Sequence, residues 1–167
     1  NPYLAELNQI TGETVNLTEP DGLDMVYVSR FVAPKFIPIH MPIGSRIPMY
    51  CTGGGRAYLS GLGDDEIRRV LQDSTLAELT RYTLTDATAI FERVITSRNQ
   101  GYATNKEEMF LGDMTIAAPI FNSNGLPVAA VHVVVPSSRW SMEEAEDKLA
   151  STVIQCARGI SNSIRTL

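Results

Sequence analysis

Met114-Thr115-Ile116-Ala117-Ala118-Pro119-Ile120-Phe121-Asn122-Ser123-Asn124-Gly125-Leu126-Pro127-Val128-Ala129-Ala130-Val131-His132-Val133-Val134-Val135 reads as two strands and a turn. Met114 to Phe121 and Val128 to Val135 are rich in β-branched and small apolar residues. The intervening Asn122-Ser123-Asn124-Gly125 holds residue types that accept turn geometry. A connection this short requires antiparallel pairing. The second run is almost unbroken in apolar residues, which places it at the centre of a sheet covered on both faces. His132 alone interrupts it.

Further strands are expected upstream. Glu13 to Leu17 alternates polar and apolar, Asp21-Gly22 signals a turn, and Met25 to Val28 follows as the next strand. Phe36 to Met41 alternates as another, with Pro34 and Pro38 pointing to a sheet edge. Tyr102 to Thr104 is a short strand.

Helices surround this core. Tyr3 to Gln9 is helical, with Leu4 and Leu7 on one face and a left-handed stop at Thr11-Gly12. A helix runs from about Gly54 to Leu62, and a second opens with Asp64 as N-cap and Asp65 and Glu66 in its first turn. Residues 74–85 are polar and irregular. A helix capped by Thr85 continues through Arg98, burying Ile90, Phe91, Val94 and Ile95, and Gly101 closes it. Ser141 with Glu144 forms a capping box, and the last helix carries Leu149, Val153, Cys156, Ile160 and Ile164 on one stripe. The expectation is an α+β domain over 1–167, an antiparallel sheet flanked by helices.

The 167 residues are 44% hydrophobic and 20% charged, enough for one sizeable core. A net charge of −5 argues against a nucleic-acid surface on this piece. No apolar run is long enough to span a membrane. The chain starts at Asn1 without Met or a signal-peptide pattern, so it reads as a fragment of something longer. Cys51 and Cys156 make neither a disulfide framework nor a zinc site and point to a reducing, cytoplasmic setting. No cofactor or metal motif is present.

Chemistry concentrates in Thr52-Gly53-Gly54-Gly55, which stands at the head of a helix. Glycine permits close approach and positive φ. A helix N-terminus adds unpaired N–H groups and a positive dipole end, which suit a small carboxylate. A tight, ligand-free turn explains the glycines equally well. The pattern is not a nucleotide P-loop, because Arg56-Ala57 stands where Lys-Ser/Thr belongs.

Ordered blocks extend this reading: Thr11-Gly12-Glu13-Thr14-Val15-Asn16-Leu17; Pro42 through Ala57 across the glycines; Gly101-Tyr102-Ala103; Glu107-Glu108; Leu111-Gly112; Ile116-Ala117-Ala118-Pro119-Ile120-Phe121; and Pro136-Ser137-Ser138-Arg139. In this order and spacing they resemble the C-terminal effector-binding domain of the IclR family of bacterial transcriptional regulators. The resemblance implies a GAF-like fold and a small-molecule effector, often a carboxylate. It also implies self-association as a dimer or tetramer, and operator DNA bound only through an N-terminal winged helix-turn-helix absent from this chain. It is no enzyme on this reading. The implied effector-binding residues are Thr52, Gly53, Gly54 and Gly55 as backbone donors, with Asn105, Thr115, His132 and Val134 around them. Met41 and Met49 flank the loop as walls. His132 and Val134 stand where glyoxylate- and pyruvate-responsive members have serines, which favours a larger or aromatic carboxylate here.

Read from the residues alone, His132 is either a core histidine or a ligand donor. Arg56 either neutralises a ligand charge or points outward. Glu107, Glu108 and Asp113 read as solvated loop carboxylates. Cys51 and Cys156 read as buried packing residues, and Arg139 as a tie between a loop and a neighbouring segment. Two other functions stay open: an enzyme on a small organic acid with His132 as base, and a module that only oligomerises.

Overall fold

Strand alternation sends the side chains of the central hairpin into two separate cores. The computed structural model describes residues 1–34 and 41–165. In chain order the elements are α1 (Pro2–Thr11), β1 (Thr14–Asp21), β2 (Asp24–Phe31), β3 (Arg46–Pro48), α2 (Gly53–Ser60) and α3 (Asp64–Asp73). They continue with α4 (Ala87–Gln100), β4 (Ala103–Lys106), β5 (Asp113–Phe121), β6 (Pro127–Pro136) and α5 (Met142–Arg165). The six strands form one antiparallel sheet in the order β3-β2-β1-β6-β5-β4. The architecture is α+β.

β6 lies inside the sheet, between β1 and β5. Its odd positions Val131, Val133 and Val135 join Met114, Ile116 and Ile120 of β5 in a core closed by α1 and α5. The stripe of α5 supplies Leu149, Val153, Cys156 and Ile160, while Ile164 stays 37% exposed beyond the sheet. Ala130 and Ala117 face the other way, into a core shared with α2, α3 and α4. Small residues there let α2 press onto the sheet. Arg139 and Trp140 after β6 reach back to the buried Glu13 just before β1, at 3.3 and 3.1 Å.

Two helix caps and one strand differ from the sequence reading. Gly63, not Asp64, precedes α3; Asp64 lies in the first turn, where its carboxylate receives Arg98 at 2.8 Å. Asp86, not Thr85, caps α4 by accepting from Ala89 N at 3.0 Å. β3 was unexpected, since three residues are too few to show a period. It pairs with β2 through Met25↔Ile47 and forms one sheet edge among the described residues. The strand expected over Phe36 to Met41 lies, save Met41, outside the described residues. No described helix is long and apolar enough to cross a membrane.

Candidate functional site

Helix α2 begins directly over the sheet, and its three glycines are its first turn rather than a loop before it. Thr52 is the N-cap: its extended backbone turns into the helix and its Oγ1 accepts from Gly55 N at 3.2 Å. The same hydroxyl donates to Pro48 O at 2.6 Å. Helix geometry leaves the N–H groups of Gly53 and Gly54 without an intrahelical acceptor.

Each glycine faces a different neighbour, and the space differs: closed at Gly53 and Gly55, tight at Gly54. A Cβ on Gly53 would meet Thr115 Cγ2 at 2.7 Å. One on Gly54 would meet His132 Cδ2 and Thr18 Oγ1, both at 3.1 Å. One on Gly55 would meet Met49 Cα at 2.3 Å.

Beside this turn lies a cavity with about 50 Å³ open to the centres of water molecules, room for a compact ligand of a few heavy atoms. Of the residues named from the resemblance, Thr52, Gly53, Gly54, Asn105, Thr115, His132 and Val134 line it. Gly55 and Met49 do not: they pack against each other, and Met49 is buried in the second core. Met41 is half-buried against that core, and its carbonyl accepts from Arg30 Nη1 at 3.0 Å.

Asn105 lines the cavity with its amide already engaged. Nδ2 donates to Cys51 O at 2.9 Å and to Glu108 Oε2 at 3.1 Å, and Oδ1 accepts from Glu108 N at 3.3 Å. It braces the wall instead of offering a free group.

Arg56 neither neutralises a ligand nor points outward. It is fully buried and grips Glu108 through both terminal nitrogens, at 2.5 and 2.7 Å, while Nε donates to Tyr50 O at 3.0 Å. Glu108 is therefore a buried partner, contrary to the solvated role expected of it.

Sequence reasoning missed Tyr27, Met109, Phe110 and Asp113, which also line the cavity. Asp113 was findable, since it stands two residues before Thr115 on the same strand and so on the same face. Asn16 and Thr18 were also missed. They face α2 from β1, paired with His132 and Ala130.

Asn16 Oδ1, Thr18 Oγ1 and His132 Nε2 are buried without a hydrogen-bond partner among the described residues. Unmet polar atoms of this kind are rare in native cores.

Burial dominates the electrostatics. It pushes the His132 ring down to about 4, with Arg30 acting in the same direction, so the imidazole is neutral. Burial pushes the Asp113 carboxyl up to about 6, with Arg30 opposing and Glu107 assisting. It pushes the Cys51 thiol up to about 11, which leaves no activated nucleophile there. Among the described residues no group of three or more His, Cys, Asp or Glu is placed to hold a metal.

These opposed shifts make a pH prediction. His132 titrates near 6.5 when unfolded and about 4 when folded, so its contribution to stability is full above 6.5 and lost as pH falls towards 4. Asp113 does the reverse: its contribution is full below about 3.8 and lost as pH rises through 6. The two slopes oppose each other between about pH 4 and 6. Asp113→Asn should therefore steepen the acid loss of stability, and His132→Gln should flatten or invert it. Melting temperatures from pH 4 to 7 check this; parallel profiles for all three proteins would exclude it.

A family model for the bacterial transcriptional regulator IclR C-terminal region matches residues 1–162. The chain belongs to the IclR family. This is a family of transcriptional regulators, not of enzymes, and the α+β fold is its GAF-like C-terminal fold. The HTH-type transcriptional repressor AllR of Escherichia coli K12 is 31% identical over 166 residues, covering 98% of this chain and 60% of AllR. The chain thus spans about 60% of that relative's length. The crystal structure of RHA06195 from Rhodococcus sp. RHA1 superposes with a TM-score of 0.94 at 31% identity, covering 99% of this IclR-family chain and 68% of that one. The inducer-binding domain of PobR from Acinetobacter, a double mutant in complex with 3-hydroxybenzoic acid, superposes with a TM-score of 0.88 at 27% identity. That match covers 98% of this chain and 95% of that one.

Proposed function

We propose that this IclR-family domain, spanning 1–167, senses a small carboxylate effector. The observation that carries the reading is the first turn of α2. Its unpaired Gly53 and Gly54 N–H groups stand at a cavity whose wall holds the buried, partnerless His132 Nε2. A carboxylate at a helix N-terminus gains from both the N–H groups and the dipole. Thr52, Thr115 and Val134 shape the rest of the site, and Asn105 holds the wall. Occupancy passes through a dimer or tetramer to an N-terminal winged helix-turn-helix on operator DNA, in the cytoplasm.

Cavity size favours a compact acid over the aromatic one expected from Val134. The PobR complex supports a second reading, an aromatic acid, which requires the cavity to enlarge.

A thermal-shift panel of aliphatic and aromatic carboxylates tests the proposal. An effector at 100 times its dissociation constant adds about 2.7 kcal/mol, which raises Tm by roughly 5–10 °C for a domain of this size. Gly54→Ala places a methyl against His132 and Thr18. It should cost little stability and abolish the shift. A shift that survives Gly54→Ala would move the site elsewhere. If no acid shifts the melt, the domain serves assembly alone.

A further inference from the structure

The cavity holds one anion of its own. Asp113 opens β5 and lines the same space as Gly53, Gly54 and His132; its backbone is bonded to Glu107 and Phe110, while its carboxyl accepts no hydrogen bond among the described residues. The charged groups that act on it are Arg30 from β2 and Glu107 from the loop before β5. A plain carboxylate or keto acid would bring a second anion, with only acceptor atoms, into about 50 Å³ beside it. Of the neighbouring unmet atoms, Asn16 Oδ1 is only an acceptor, while Thr18 Oγ1 and the neutral His132 ring can each donate or accept. The lining therefore offers donors on α2 and one acceptor anion, Asp113.

We propose that Asp113 is the specificity-determining residue of this cavity, and that it selects a carboxylate whose carbon skeleton also bears a hydroxyl or ammonium donor. This rests on the carboxylate reading above and narrows it. The donor turns to Asp113 while the carboxylate meets the first turn of α2. Acids that lack the donor are disfavoured because they leave the half-buried Asp113 carboxylate facing a second anion.

Isothermal titration with matched acids tests it: propionate, pyruvate, lactate and alanine, then benzoate with 3-hydroxybenzoate. The native chain should bind the donor-bearing member of a set about tenfold or more tightly than its donor-free partners. In Asp113→Ala the order should cross: donor-bearing acids weaken, and donor-free acids bind equally or more tightly because the repelling charge is gone. A merely destabilised protein cannot give that crossing. Asp113→Asn distinguishes the two donors, keeping a preference for hydroxyl and losing one for ammonium. Equal or tighter native binding of the donor-free acids overturns the proposal, as does a common loss for every acid in Asp113→Ala. If none of the acids binds, the carboxylate reading falls and this one falls with it.

Discussion

Glu108→Ala should lower the stability of the domain by about 3–5 kcal/mol, because it leaves the Arg56 guanidinium buried without its counter-charge. Arg56 has no exposed surface, and Glu108 supplies both of its carboxylate contacts. The damage spreads beyond the pair. Leu84 N donates to Glu108 Oε1 at 2.9 Å, and Asn105 meets Oε2. One carboxylate thus joins α2, the 74–86 segment and the end of β4. At roughly 2–4 °C per kcal/mol for a domain of this size, Tm should fall by about 6–20 °C. The double variant Arg56→Met with Glu108→Leu should recover most of the loss, since a buried ion pair contributes little net over apolar residues of similar volume. Chemical denaturation of the three proteins separates these cases. A single-variant loss below about 1 kcal/mol would show that water reaches the guanidinium.

Gly55→Ala should be of similar severity, on the order of 3 kcal/mol. The added Cβ would lie 2.3 Å from Met49 Cα and 2.4 Å from Met49 O. Both are backbone atoms, so no rotamer change relieves the overlap, and α2 must lift from its seat. Gly159 provides the contrast. A Cβ there would meet the Tyr3 ring at 2.5 Å, but Tyr3 is an exposed side chain held at its tip only by a 3.5 Å hydrogen bond from Ser163, so a side-chain shift relieves the overlap. Gly159→Ala should therefore be much milder. Thermal melts of both variants check the ranking, and equal losses would contradict it.

The sheet and its long helices were legible because their periods are written locally. Val128 to Val135, the stripe from Leu149 to Ile160, and the stops at Gly12 and Gly101 each need only their own neighbours. The site was legible where one element carries it, as at Thr52 to Gly54 and at His132. It was hidden where partners come from distant strands. Arg56 and Glu108 are 52 residues apart, and nothing near either announces the other. Asn16 faces the cavity side only because β1 pairs with β6 through Asn16↔His132, a register fixed by packing across the sheet. The start of α2 was read one residue late, at Gly54 instead of Gly53, because a cap is set by backbone geometry, and Thr52 and Gly53 both permit it.

β6 faces two ways, with valines on odd numbers toward α5 and His132 and Val134 on even numbers toward the cavity. Its two sets of side chains answer to different demands. On the effector reading proposed above, variation at Thr115, His132 and Val134 in the lining, with Asn16 and Thr18 on the same face of the sheet, changes what is recognised while the opposite face keeps the fold. A library confined to those five positions would explore new chemical specificities on an unchanged scaffold, and natural divergence has the same route open to it.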